Sequence, residues 1–405
     1  MLNQLFGKRN LYPHSWVNFS AILLALGFIQ FWVLTFYYKT ATNEWVSWIA
    51  NDGNAGSPYA FGQHYFGDYL TMHNVSISRD ISAFDNSYPP LGVMPFWLIS
   101  WLPYRVGLSI WFGLLISSIL IPLIISFRKV EKNYVWTSVI LLGVLTVPMI
   151  SVLDRGNSVG LLTLLFFLFY YFDKNNKVHF SGLSLGIAIG IKVYPLVIIP
   201  FLIIKRKFKL AFIAVASSIL LNLVSLIIWN QGNPISGAKY IVTRIVSVDR
   251  IFETGHGMYI SSSQIFVNIV NKFGISDVGV VHWLTGNYRV ITLVSFVILL
   301  LAAAYSKGNQ WYCYALCSIQ VVPTLAYSYY RVWTPVVIAI LLIERGLKSN
   351  SKLTIFENTW FLICVLNLSI LTILNFWPIN LLPTLVMLLI FINAFSNIKK
   401  TKSKQ

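Results

Sequence analysis

The sequence predicts an all-α polytopic membrane protein of about twelve transmembrane helices, several of them short or broken. Two long outer loops, about 38–104 and 230–287, carry interfacial helices, and residues 1–405 form one unit. Three observations predict this. Hydrophobic residues are 57% of the chain and charged residues 11%, against about 25% charged in soluble domains; so few charges cannot cover a water-facing surface. Apolar runs of span length recur along the chain. The excess of 30 Lys and Arg over 13 Asp and Glu sorts to one side of the membrane once the runs are threaded, as the positive-inside rule requires. Soluble, disordered and fibrous classes are excluded, and the expected partners are membrane lipids, with no nucleic acid.

The first apolar run, 17–37, reaches the roughly 20 residues a span needs. No small-residue cleavage site follows it, so it reads as a first membrane helix rather than a signal peptide. After a polar, aromatic-rich segment, Pro89-Pro90 opens a shorter apolar stretch, 89–103, read as a re-entrant or interfacial element. Runs 105–127, 134–152 and 158–172 follow. Run 181–204 carries Lys192 and Tyr194-Pro195 in its middle. As one helix, with 89–103 spanning the membrane, it would strand Lys192 in hydrocarbon, at about 2.5–3.5 kcal/mol, and would leave sixteen Lys/Arg inside against fourteen outside. Broken before Pro195 into two short spans that meet near the outer face, it gives nineteen inside against eleven outside. The break is therefore predicted. It puts both termini inside, with net charge +15 inside and +2 outside. Run 210–229 leads to the second long loop, and 288–305, 311–326, 331–343, 354–375 and 379–396 complete the bundle. No repeat or inverted pair of halves is evident.

Because basic residues belong inside, the outer ones need explaining. The first loop reads Tyr59-Ala-Phe-Gly-Gln-His64-Tyr65-Phe66-Gly67-Asp68-Tyr69, then Asp85-Asn86-Ser87-Tyr88-Pro89-Pro90-Leu91. The proline pair fixes φ and removes two amide donors, making a rigid corner. Aromatics beside carboxylates suit a sugar, whose apolar face stacks on rings; an interfacial aromatic belt with solvated acids has the same composition. Asp154-Arg155-Gly156-Asn157 opens a span at the outer face, and Lys192-Val193-Tyr194-Pro195 sits at the break, where unpaired backbone groups line polar sites. Outer Arg155 and Lys192 suit an anionic leaving group such as a lipid phosphate, or else snorkel to headgroups. The late loop holds Lys239, Arg244, Asp249, Arg250, Glu253 and His256, the histidine bracketed by Gly255 and Gly257; Tyr327-Ser328-Tyr329-Tyr330-Arg331 makes a last outer turn.

Soluble catalytic motifs are missing: no HExxH, P-loop, GxGxxG after a strand or GxSxG occurs. His64 and Asp68 share a helical spacing, but two residues do not make a metal site. Cys313, Cys317 and Cys364 lie in apolar runs without ligand spacing and read as packing residues. No metal and no cofactor is expected.

The order and placement of these motifs resemble the C-type integral-membrane glycosyltransferases, and within them glycosyltransferase family 87, which includes polyprenyl-phosphate-mannose-dependent mannosyltransferases. The resemblance rests on Gly67-Asp68-Tyr69, Tyr88-Pro89-Pro90-Leu91, Arg155-Gly156-Asn157, Ser181-Gly-Leu-Ser-Leu-Gly186 running to Lys192-Val-Tyr-Pro195, and Lys205-Arg206-Lys207, over roughly residues 15–345. It implies a bacterial cytoplasmic-membrane enzyme with an outward-facing site. A polyprenyl-phosphate-linked sugar would be the donor, a lipid or glycan the acceptor, and Asp68 the base. The chain departs from the family pattern at the late turn, where Tyr329-Tyr330-Arg331 stands in place of histidine. On this reading Arg155, Lys192, Arg244, Arg250 and Arg331 bind the donor phosphate. His64, Tyr69, Asp85, Tyr88, Asn157, Tyr194, His256 and Tyr330 contact sugar or acceptor. The chemistry is consistent: a sugar phosphate brings its own leaving group, so one base and a set of cations suffice. A polysaccharide polymerase or ligase relying on Arg244 and Arg250, or a lipid-linked sugar transporter, are the alternatives.

Overall fold

The computed structural model describes residues 17–26, 66–83, 88–130, 135–231, 233–247, 262–275, 278–322, 331–345, 354–368 and 381–402. No strand occurs among the described residues. In chain order the helices are α1 (Val17–Leu26), α2 (Gly67–Ser78), α3 (Pro90–Ile99), α4 (Tyr104–Val130), α5 (Val135–Val144), α6 (Val147–Arg155), α7 (Val159–Lys174), α8 (Val178–Ile191), α9 (Tyr194–Ile204), α10 (Phe208–Trp229), α11 (Pro234–Ser247), α12 (Ser262–Phe273), α13 (Gly279–Gly286), α14 (Tyr288–Tyr305), α15 (Trp311–Val321), α16 (Trp333–Arg345), α17 (Ile355–Leu368) and α18 (Leu381–Lys402).

Three helices are long and apolar enough to cross a membrane: Tyr104–Arg128, Phe208–Trp229 and Tyr288–Tyr305, with mean hydropathies of 2.4, 2.4 and 2.0. They leave Leu114, Ile219, Leu220, Ile227 and Leu293 exposed, an apolar surface that water would not tolerate and lipid does. Eight shorter apolar helices of 10–17 residues accompany them. The described residues do not establish the expected count of about twelve spans. The apolar runs break where the backbone cannot continue a helix. Run 134–152 bends at Leu145–Thr146, after a π-helical turn over Ile140–Val144 and before Pro148. Run 181–204 ends its first helix at Ile191; Lys192 is extended (φ −141, ψ 133), and a 3₁₀ turn restarts the chain at Tyr194-Pro195. The break expected at that proline is present.

At the centre, α8 packs on α7 and α10, while α16 packs on α4 and α7. Closeness of α8 to α10 depends on Gly186, where a Cβ would come within 2.6 Å of the Ala214 carbonyl oxygen. Gly182 and Gly190, one helical turn to either side, present equally little bulk. This small-residue stripe lets two backbones approach where lipid offers no hydrophobic drive between helices.

One end of α7 is closed by a polar clasp. Asp173 accepts from Lys207 Nζ at 2.5 Å and from the Tyr312 hydroxyl. Glu344, at the end of α16, accepts from Lys174 Nζ and Asn309 Nδ2, both at 2.9 Å, and from the Tyr170 hydroxyl. Lys205 Nζ donates to the Ser306 carbonyl at 3.1 Å. Arg155 and Asn157 lie at the other end, about 24 Å away at 1.5 Å per residue.

Gly186→Val should separate α8 from α10. Overpacking of this kind costs about 1–3 kcal/mol, so the thermal unfolding midpoint in detergent should fall by several degrees. An unchanged midpoint would mean that the two helices are not locked by this contact.

Candidate active site

Helix α2 begins with unusual backbone. Phe66, its N-cap, is left-handed (φ 58), a costly conformation for a bulky residue, and is held by an edge contact of its ring with Phe112 at 4.8 Å. Two residues on, Asp68 emerges in the first helical turn with its side chain partly exposed. Tyr69 turns the other way. Expected to meet a sugar, it is completely buried and packs on Phe96, His73 and Tyr104. Burial, with Tyr104 adding to it, pushes the Tyr69 hydroxyl up to about 12, and burial lowers His73.

The partner of Asp68 comes from 89 residues along the chain. Helix α6 ends in a Schellman arrangement: Gly156 N–H donates to the Leu153 carbonyl and Asn157 N–H to that of Val152. Gly156 has φ 65, and a Cβ there would come within 2.7 Å of the Tyr69 Cβ, so glycine serves both the turn and the approach of α2. Buried Trp111 fixes the same turn by donating its indole N–H to the Gly156 carbonyl at 2.8 Å. Asn157 then uses both ends of its amide. Its Oδ1 accepts the Val159 N–H at 2.9 Å, capping α7, and its Nδ2 donates to Asp68 Oδ2 at 2.6 Å. The capping bond fixes which end of the amide faces the carboxylate. Asn157, expected to touch a sugar, is buried and orients Asp68. Arg155 Nη1 lies 3.8 Å from Asp68 Oδ1, both side chains partly exposed.

The third contribution is the helix break. Lys192 is partly buried, and both Asp68 and Arg155 act on it electrostatically. Its ammonium sits 3.1 Å from the centroid of the Tyr88 ring. The structure thus brings Asp68, Tyr88, Arg155, Asn157 and Lys192 together, from α2, the Pro-Pro corner, the α6–α7 turn and the α8–α9 break. Tyr194 is partly buried at the start of α9.

An apolar cavity of about 380 Å³ begins where these residues end. Pro89 and Pro90, which follow Tyr88, and Val193, which follows Lys192, line it with Leu196 of α9, Ile219, Asn222, Leu223 and Leu226 of α10, and Ile241 and Val242 of α11. Leu196, Ile219, Leu223 and Val242 are exposed, so the cavity opens at the surface of the molecule. Nothing in the apolar run 210–229 marked its residues as cavity lining.

Arg331 is buried, and its Nη1 donates to the Asn367 carbonyl at the end of α17, where a cation meets the negative end of a helix dipole. Arg244 belongs to α11, but its side chain is outside the described residues, as are His64, Asp85, Arg250, His256 and Tyr330. Among the described residues no group of three His, Cys, Asp or Glu could hold a metal ion. The three cysteines are buried, as packing residues should be.

No curated protein and no solved structure gives a match. Residues 86–328 match the family model of glycosyltransferase family 87. That segment is more than half of the chain and includes Tyr88, Arg155, Asn157 and Lys192, with Asp68 just upstream. The chain belongs to glycosyltransferase family 87 and is a membrane glycosyltransferase.

Proposed function

We propose that this enzyme moves a hexose, mannose or a relative, from a polyprenyl-phosphate donor to a lipid- or glycan-linked acceptor at the outer face of a bacterial cytoplasmic membrane. The observation that carries this reading is the adjacency of one carboxylate, two cations and an apolar cavity that opens at the surface. A polyprenyl-phosphate sugar has the matching parts in the same order: an acceptor-facing sugar, a phosphate and an apolar tail. The tail would enter between Pro89, Leu196 and Leu223, leaving the phosphate by Lys192.

Asp68 accepts the proton of the acceptor hydroxyl as its oxygen attacks the anomeric carbon. The bond from that carbon to the phosphate oxygen breaks, and Arg155 and Lys192 take up the charge on the departing polyprenyl phosphate. Asn157 holds the carboxylate in line. A single displacement inverts the anomeric centre. The clasp around Asp173 and Glu344 gathers Lys174, Lys205 and Lys207 at the opposite end of α7, which fits a cytoplasmic end for those basic residues and an outer location for the site.

Asp68→Asn keeps the shape and its contact with Asn157 but cannot take a proton. A positioned base is worth about 10²–10⁴-fold, so kcat in lipid nanodiscs should fall by that factor while donor affinity changes little; Asp85→Asn should lose far less. A near-native rate for Asp68→Asn removes it as the base. Arg155→Ala and Lys192→Ala should each raise the donor KM and lower kcat/KM by at least tenfold, and Lys192→Arg should not restore it, since a planar fork replaces a point charge. Full activity of both alanine variants below donor saturation would dismiss the phosphate clamp.

A further inference from the structure

Tyr88 and Lys192 meet in a way that the proposed chemistry does not by itself require. The ammonium lies over the ring face at 3.1 Å from its centroid, well inside the ~6 Å range of cation–π attraction. The ring is buried, with 5% of its surface exposed, so the covered face cannot also stack on a sugar. Among the described residues no carboxylate lies within ion-pair distance of Lys192 and its ammonium donates no hydrogen bond. A lysine restrained by a ring keeps its three N–H donors for another acceptor.

Both backbones are fixed. Pro89 and Pro90 restrict the chain after Tyr88. Trp229 Nε1 donates to the Pro90 carbonyl at 3.2 Å, and Asn222 Oδ1 accepts the Leu91 N–H at 3.0 Å. Helix α10 therefore pins the corner. Gly92 lies so near the last turn of α8 that a Cβ would be 2.7 Å from the Ile191 carbonyl oxygen and 3.3 Å from the Tyr88 ring. Lys192 follows Ile191 directly, and its own N–H closes α8 on the Ala188 carbonyl at 3.1 Å.

We propose that Tyr88 is a positioning residue whose ring face seats the Lys192 ammonium and aims its N–H groups at the phosphate of the lipid donor. The inference rests on the phosphate-binding reading of Lys192. It replaces the expected sugar contact of Tyr88 with a role exerted through the cation. It also gives buried Trp229 and part-buried Asn222 a part in phosphate recognition, because they hold the ring in place.

The test is affinity for undecaprenyl phosphate, measured on the full chain in nanodiscs with phenylalanine and its mono-, di- and trifluorinated forms placed at position 88. Fluorine drains electron density from the ring face while leaving its bulk nearly unchanged, so affinity should fall stepwise with each fluorine, by about 10–30-fold across the series. Tyr88→Phe should keep most of the affinity that Tyr88→Leu loses, and in a Lys192→Ala background the series should be flat. The same preparations are assayed for sugar transfer. Binding without transfer by the unmodified protein counts against the proposed function alone. A flat fluorine series with Lys192 present, no binding of undecaprenyl phosphate by the unmodified protein, or a Tyr88→Phe loss equal to that of Tyr88→Leu overturns the seat.

Discussion

A charge at the centre of a bilayer costs about 2.5–3.5 kcal/mol even on insertion scales, and that cost arranges this molecule. Charged side chains collect at the two ends of α7, and the two ends are finished differently. At one, Asp173 and Glu344 are met at 2.5–2.9 Å by lysines and an asparagine and capped by tyrosine hydroxyls. That end is saturated and ties α7, α15, α16 and the chain before α10 together. At the other, Arg155 approaches Asp68 only to 3.8 Å, both side chains keep some exposure, and Lys192 rests on a ring. The two ends of α7 thus differ in how closely their charges are paired.

Uncharged residues build that second end. Asn157 joins the N-terminus of α7 to Asp68. Trp111 and Gly156 hold the turn that carries Arg155. Trp229 and Asn222 hold the corner that carries Tyr88. Each is buried or part-buried in an apolar bundle, where an unmade hydrogen bond would leave a costly orphan group, so each bond constrains geometry more than it would at a wet surface. Hence the Asp68 carboxylate and the cation at the helix break, brought from helices far apart in sequence, sit on rigid supports.

Much of this was legible in the sequence, and the parts that were not have identifiable causes. The α8–α9 break was readable because Pro195 and Lys192 each forbid an unbroken span on separate grounds. Asp68, Arg155 and Lys192 stood out because the charge count of the sequence expects few basic residues on the outer side. The bend in run 134–152 was not foreseen, since hydropathy does not register a π-turn. Asn157 and Tyr88, expected at a sugar, contact the side chains of Asp68 and Lys192. Their partners are 89 and about a hundred residues away, and no local spacing encodes such contacts. Tyr69, expected at a sugar, is buried because adjacent helical positions point in different directions, so the residue beside Asp68 faces the core. The Gly182, Gly186, Gly190 stripe was in plain view, but its meaning needed α10 beside it. Arg331 resembled an outer cation and closes a helix end.

The central claim is that the Asp68–Lys192 constellation transfers a sugar from a lipid monophosphate. The most direct measurement offers the purified protein in nanodiscs a panel of polyprenyl-phosphate sugars with lipid acceptors, and follows the anomeric configuration of any product. The account predicts that one donor is consumed, that free polyprenyl phosphate is released in equal amount, and that the new glycosidic bond is inverted. Extension of polyprenyl-diphosphate-linked glycans, with no transfer from any monophosphate donor, would contradict it and move the chemistry to the late loop of Arg244 and Arg250.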